Sequence, residues 1–162
     1  MNKWLIGIAT IVVLISGYIG MAHFSGGSFP TLGLPIGGDR AELRSITLKF
    51  IEDVKFKDFE KAATYHHPDK QDTLDIPFYI ERLFLIKPEA LDVMSYEIVF
   101  VEMDSSKLRG RVKTRIKCKN LIRENIHEKE AMFFFHRDSQ NDPWYMVLES
   151  SLRKIEKNKN KK

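Results

Sequence analysis

The densest group of chemistry-bearing side chains in this chain is Tyr65-His66-His67-Pro68-Asp69-Lys70. Two imidazoles and a carboxylate this close are the residue types that bind metals or move protons. The spacing argues against both uses. Neighbouring side chains in an extended segment point apart, so His66 and His67 are poorly placed to share one ion. No second motif of ligand spacing supplies further donors, and His127 and His136 are not indicated as ligands. The cluster is read instead as a helix end running into a proline-directed turn, where a histidine complements the helix dipole. No nucleophile elbow, phosphate loop, paired-carboxylate or Cys/His pattern occurs elsewhere. No catalytic residue, cofactor or metal site is therefore assigned. Cys118, the single cysteine, has no internal disulfide partner and reads as a buried apolar residue on a strand.

A second constellation is the alternating run Arg109, Arg111, Lys113, Arg115, Lys117 and Lys119. In a strand all six cations share one face. With a hairpin turn near Ile122–Arg123, Lys117 faces Glu128 and Arg115 faces Glu130. Arg109, Arg111 and Lys113 then lie opposite His136, Phe134 and Met132. Extending the register to a last strand sets Tyr145 beside His136, Val147 beside Phe134 and Glu149 near Met132. The face so formed carries an apolar strip flanked by three less-paired cations. A sheet apolar on both faces commonly has a second partner. The expected partner-binding residues are Arg109, Arg111, Lys113, Phe134, Tyr145 and Val147. Nucleic acid is not an expected partner, because the basic character of the chain resides in its tail.

Three helices and four strands must position these groups. Asp39 with Glu42 makes a capping box for a first helix that buries Leu43, Ile46, Phe50 and Val54. Asp58 caps a short second helix reaching about His66, with Phe59, Ala62 and Ala63 turned inward. Asp75 and Pro77 begin a third, with Phe78, Ile80, Leu83 and Phe84 as its apolar surface, and Lys87-Pro88 ends it. From Val93 the period changes to two, giving strands Val93–Met103, Lys107–Lys119, Ile126–Arg137 and Trp144–Ser151. Ala131, Phe133, Phe135, Met146 and Leu148 face the helices. The expected fold is α+β, three helices packed on a curved four-stranded antiparallel sheet. An acid–base enzyme of such a fold needs an Asp or His on the inward parity, and the inward residues are apolar. Tyr65, Tyr79 and Tyr96 are the polar side chains that can reach an interior pocket.

Residues 1–24 are read as a transmembrane anchor, with a cleaved signal peptide as the alternative. Trp4 to Phe24 carries no Asp, Glu, Lys or Arg and as a helix would extend ~31 Å, a bilayer core's thickness. The charge distribution then places a single-pass chain in the inner membrane with its C-terminal domain exported. Residues 25–38 form a Gly/Pro/Ser linker, 39–153 the domain and 154–162 a basic disordered tail. From Arg153 onward six basic residues stand against one acid, so the net charge of +4 becomes −1 over the first 152 residues.

The order of elements resembles the nuclear transport factor 2-like (cystatin-like) superfamily. The resemblance is carried by the helix Glu42–Lys55, the turn and short helix Lys57–Ala63, and the closing segment Pro143–Leu148. It implies helices wrapped on a curved sheet, in a superfamily that holds enzymes, pocket binders and catalytically silent assembly modules. Members with one N-terminal membrane helix include assembly subunits of bacterial secretion machines. The tripeptide His67-Pro68-Asp69, preceded by Tyr65 and followed by Lys70, resembles the signature of J-domain cochaperones. Here His66 intervenes, and the strand-rich downstream half departs from that helical family. The expected function is a non-catalytic, membrane-anchored accessory or assembly subunit of a cell-envelope complex, binding a protein partner or a second copy of itself. A small-molecule pocket binder, or an enzyme of the steroid-isomerase type, is the alternative.

Overall fold

The computed structural model describes residues 3–24 and 38–151, with side chains in the first stretch described only at Trp4, Gly7 and residues 10–18. The expected linker at 25–37 and the basic tail lie outside the described residues. The chain divides into two units, Met1–Glu42 and Leu43–Lys162.

The first unit holds helix α1, Lys3–Phe24. Among the described residues no helix is long and apolar enough to cross a membrane, which corrects the expected N-terminal membrane anchor. Absence of charge is a weaker condition than continuous apolarity. A spanning helix needs about 20 consecutive, mostly apolar residues. The described part of α1 includes Thr10, Ser16, Gly17 and Tyr18, which are uncharged without being strongly apolar. The single-pass topology was argued from that spanning helix.

Helix α2, Gly38–Phe56, carries Asp39 within its first turn rather than as its cap. It buries Leu43, Thr47, Phe50, Ile51 and Val54 at helical spacing. It ends in a Schellman closure: Lys57 N–H donates to the Val54 carbonyl and Asp58 N–H to that of Asp53. Lys57 occupies the left-handed position, φ 64°, which usually falls to glycine. Asp58 then caps α3, Phe59–Ala63, by accepting from Lys61 N at 3.1 Å. An additional one-turn helix α4, Pro68–Gln71, starts on Pro68. Asp75 caps α5, Ile76–Phe84. Its core residue at the start is Ile76, while Phe78 is turned out with Arg82 over its ring.

The sheet is antiparallel in the order β1 (Leu91–Met103), β2 (Arg109–Asn120), β3 (Asn125–His136) and β4 (Tyr145–Met146). The α+β class and the four-stranded sheet agree with the sequence. The closing strand is shorter than expected, because 148–151 is helical. Met146 N–H bonds the Tyr65 carbonyl and Val147 N–H that of Phe134, after which the chain leaves the ladder. Leu148 and Ser151 are buried at i, i+3 spacing, which suits a helix as well as Leu148 suited a strand.

Val112, Ile116, Cys118, Phe133, Phe135 and Met146 form the inner face with the apolar stripes of α2 and α5. Phe50 sits at its centre, edge-on to Phe133 at 5.6 Å between ring centroids. Such pairs add about 0.5–1.5 kcal/mol beyond burial. Gly110 lies beneath Leu43 of α2: a Cβ there would lie 2.5 Å from Leu43 Cδ1. Any larger residue would have to displace the Leu43 side chain.

Candidate functional site

The β2–β3 register is the one read from the sequence. Arg109 pairs with His136, Arg111 with Phe134, Lys113 with Met132, Arg115 with Glu130 and Lys117 with Glu128. Tyr145 lies beside His136. The six cations of β2 therefore share the outer face, with Phe134, Tyr145 and Val147 half-buried among them.

The pairing of the cations differs from expectation, because β1 brings acids to the same face. Arg111 donates from both Nε and an Nη to Glu102 Oε2. Arg115 lies 2.6 Å from Glu97 and 3.3 Å from Glu128. Lys113 reaches diagonally to Glu130 at 2.7 Å, and this cation holds the Glu130 carboxyl below its usual range. Two of the three cations read as less paired, Arg111 and Lys113, are thus engaged. Among the described residues the β2 cations shown with no ion pair include Arg109 and Lys117. Glu149 pairs with Lys70 at 3.5 Å.

A groove of about 850 Å³ opens where β2 begins and β3 ends. Its apolar lining is Met103, Gly110, Phe134, Phe135 and Val147, and its polar lining includes Lys70, Glu102, Asp104, Arg109, Arg111 and His136. Four of the six expected binding residues meet there: Arg109, Arg111, Phe134 and Val147. Lys113 and Tyr145 share the face but not the groove. Tyr145 packs instead edge-on against His67, 4.9 Å between centroids. Lys70, Glu102 and Asp104 were not read as site residues. Extending the register to β1 would have found Glu102, had the bulges between Val93 and Ser95 and between Ile98 and Phe100 been visible.

The polar groups of the groove are held rather than poised. Asp104 Oδ1 accepts from Leu108 N and Arg109 N, each at 3.2 Å, and Oδ2 accepts from Ser106 Oγ at 2.8 Å. These bonds keep its carboxyl below the usual carboxylate range. Glu102 is committed to Arg111, and His136 Nε2 is 3.1 Å from Asp138. An apolar floor beside Arg109, which has no ion pair among the described residues, suits an acidic, partly apolar ligand segment.

The Tyr65–Lys70 cluster is divided by the fold. His66 is 2 % exposed, its Nδ1 is 3.2 Å from the Ala63 carbonyl, and its buried Nε2 has no hydrogen-bond partner. Burial pushes its pKa down to about 4. His67 turns outward and caps α4, its Nδ1 accepting from Asp69 N at 3.3 Å. Among the described residues no three His, Cys, Asp or Glu side chains converge on a common point.

One further polar cluster lies within the domain. The buried Asp53 carboxylate accepts from Lys61 Nζ and from the Tyr65 hydroxyl, both at 2.7 Å. The hydrogen bond to Asp53 pushes the Lys61 ammonium up. Burial, then Asp53, pushes the Tyr65 phenol well above its ordinary value. Both protons are held more tightly than in water, opposite to what proton transfer near neutral pH requires. The cluster ties α2 to α3 and to Tyr65. Tyr79 and Tyr96 are likewise raised by burial against the core. Cys118 is fully buried on the inner face, and burial pushes its thiol up.

No protein-family model, curated protein or solved structure matches the chain.

Proposed function

We propose that residues 43–151 form a non-catalytic docking module, serving as an accessory or assembly subunit of a larger complex. The order of helices and strands, which resembles that of the nuclear transport factor 2-like superfamily, is consistent with such a role and leaves the activity open. The observation carrying the reading is the groove at the Arg109 end of the sheet, where Phe134 and Val147 meet Arg109 on the outer face. The partner it fits is a protein segment with an acidic group for Arg109 and apolar side chains for the floor.

The test compares wild-type chain with Arg109→Glu, isolated under gentle conditions from the native source, by particle mass and by the identity of co-isolated proteins. Arg109 is the better position than Arg111 or Lys113, because reversing either of those also breaks an ion pair. A defined assembly lost on Arg109→Glu, yet kept on reversal of Lys117, supports the reading. A lone particle in every case removes it. A groove of about 850 Å³ also falls in the size range of small-molecule sites. A lone particle carrying a bound metabolite would favour that second reading.

A further inference from the structure

The sheet ends differently on its two sides. On the β1 side the edge is broken by bulges between Val93 and Ser95 and between Ile98 and Phe100, a device that blunts an edge against further pairing. On the other side β2 and β3 pair one to one from Asn125 to His136 without a bulge. There β4 covers only the last part of β3. Phe135 and His136 pair with Met146 and Tyr145, and Val147 N–H donates to the Phe134 carbonyl.

Backbone parity fixes which groups of β3 are left open. Arg137 N–H donates to the Leu108 carbonyl just before β2, so the odd-numbered residues of β3 bond toward β2. Phe134 turns its carbonyl the other way, to Val147. Ile126, Glu128, Glu130 and Met132 therefore aim their N–H and C=O groups away from β2. Among the described residues none of these backbone groups has a hydrogen-bond partner. The open row is about 20 Å long. An extended polypeptide backbone is the group that presents donors and acceptors at this spacing.

The side chains beside the row set the character of the strand that fits. On the outer face they are Ile126, 52 % exposed, with Glu128, Glu130 and Met132. Both carboxylates are paired on their β2 side, Glu128 with Arg115 and Glu130 with Lys113 and Arg115, and both remain about half exposed. An added strand would lie about 5 Å from these acids and about 10 Å from the cations of β2. Acids are thus its nearest charges on that face. The outer face is striped by strand, acidic at Glu97 and Glu102 on β1, basic along β2 and acidic on β3, and a basic strand continues the alternation. His127 and Lys129 belong to the inner parity, and Lys129 Nζ donates to the Phe84 carbonyl. A second copy added antiparallel and centred on the same stretch would set Glu128 opposite Glu130, and like charges directly opposite disfavour it.

We infer that the open edge of β3, residues 126–132, is a strand-addition site for an extended basic segment of a partner protein. The segment pairs with the open backbone groups and sets Lys or Arg side chains beside Glu128 and Glu130. The site does not rest on the groove, which meets β3 at Phe134, Phe135 and His136.

The experiment follows backbone amide exchange by NMR in the isotope-labelled full chain while a short capped peptide of alternating valine and lysine is titrated in. The amides of Ile126, Glu128, Glu130 and Met132 should exchange fast in the free chain and gain protection with peptide. Those of His127, Lys129 and Ala131, aimed at β2, should be protected throughout. The same peptide with glutamate in place of lysine should bind roughly tenfold more weakly or worse. Glu128→Pro removes an open N–H and no bond to β2, so it should weaken the lysine peptide about tenfold, whereas Glu128→Gln keeps the N–H and should cost less. Edge amides already protected in the free chain mean that the chain covers its own edge, and overturn the inference. So do peptide-induced changes confined to the Arg109 end, equal binding of the two peptides, or no binding of either.

Discussion

The two faces of the β2–β3 hairpin are built from alternate residues of the same strands yet are held by different physics. On the inner face, Val112, Ile116, Phe133 and Phe135 are almost wholly removed from water, and Gly110 leaves room for the Leu43 side chain of α2. On the outer face, Arg111, Lys113 and Arg115 keep substantial exposure and sit in a web of ion pairs with Glu97, Glu102, Glu128 and Glu130. Burial of apolar surface is worth about 25 cal/mol per Å², while an exposed ion pair is worth about 0–1 kcal/mol. The inner face should therefore carry stability, leaving the outer face free to be selected for recognition.

The largest expected effect is on the inner face. Phe133→Ala removes the ring that meets Phe50 edge-on and leaves a cavity in the closed interior. It should cost about 3–5 kcal/mol in denaturant unfolding. A loss below about 1 kcal/mol would show that the inner face does not dominate.

A smaller effect tests the one orphaned polar ring in that interior. The folded-state pKa of His66 lies at about 4, below the value near 6.5 of an unfolded chain. As pH falls the unfolded chain takes up the proton first. The contribution is fully present above about pH 6.5 and is lost as pH falls toward 4. Between pH 7.5 and 5 stability should drop by about 2 kcal/mol from this group. The nearby charges oppose each other, Glu149 favouring and Lys70 disfavouring the protonated ring. His66→Phe should flatten that part of the stability–pH curve, and an unchanged slope would show that the ring finds a proton partner in solution.

The smallest effect belongs to the outer face. Arg111→Ala removes the two-point contact with Glu102, and both side chains are 48 % exposed. Unfolding should shift by less than about 1 kcal/mol. A loss comparable to that of Phe133→Ala would make the outer face structural and erase the contrast.

Much of this arrangement is legible in the chain. Alternation of cation and small apolar residue from Arg109 to Lys119 assigns the two faces of β2, since side-chain period in a strand is two. The acids at Glu128 and Glu130 then select the hairpin register, since a one-residue slip would move every side chain to the opposite face. The caps Asp58 and Asp75 were likewise visible, because the capping carboxylate and its target amide lie within three residues. The apolar residues turned to the helices on β3 follow from the same parity.

What escaped the sequence was whatever depends on contacts distant along the chain. Glu97 and Glu102 have opposite parity, and they reach the same face only because β1 is bulged between them. That bulge brings Glu102 to Arg111, while Lys113 reaches diagonally to Glu130 on β3, which leaves Arg109 as the groove cation shown with no ion pair among the described residues. The closing strand is short because the chain turns into a helix at 148–151, and the free edge of Met146 is met by Tyr65, a partner some 80 residues away that no local pattern announces. The freedom of residues 4–24 from charge suggested a spanning helix, which the described structure does not support. Local periodicity and capping chemistry were thus set by the sequence itself, because their interactions span a few residues. The ion pairs and the groove were decided by tertiary structure, which alone brings distant strands together.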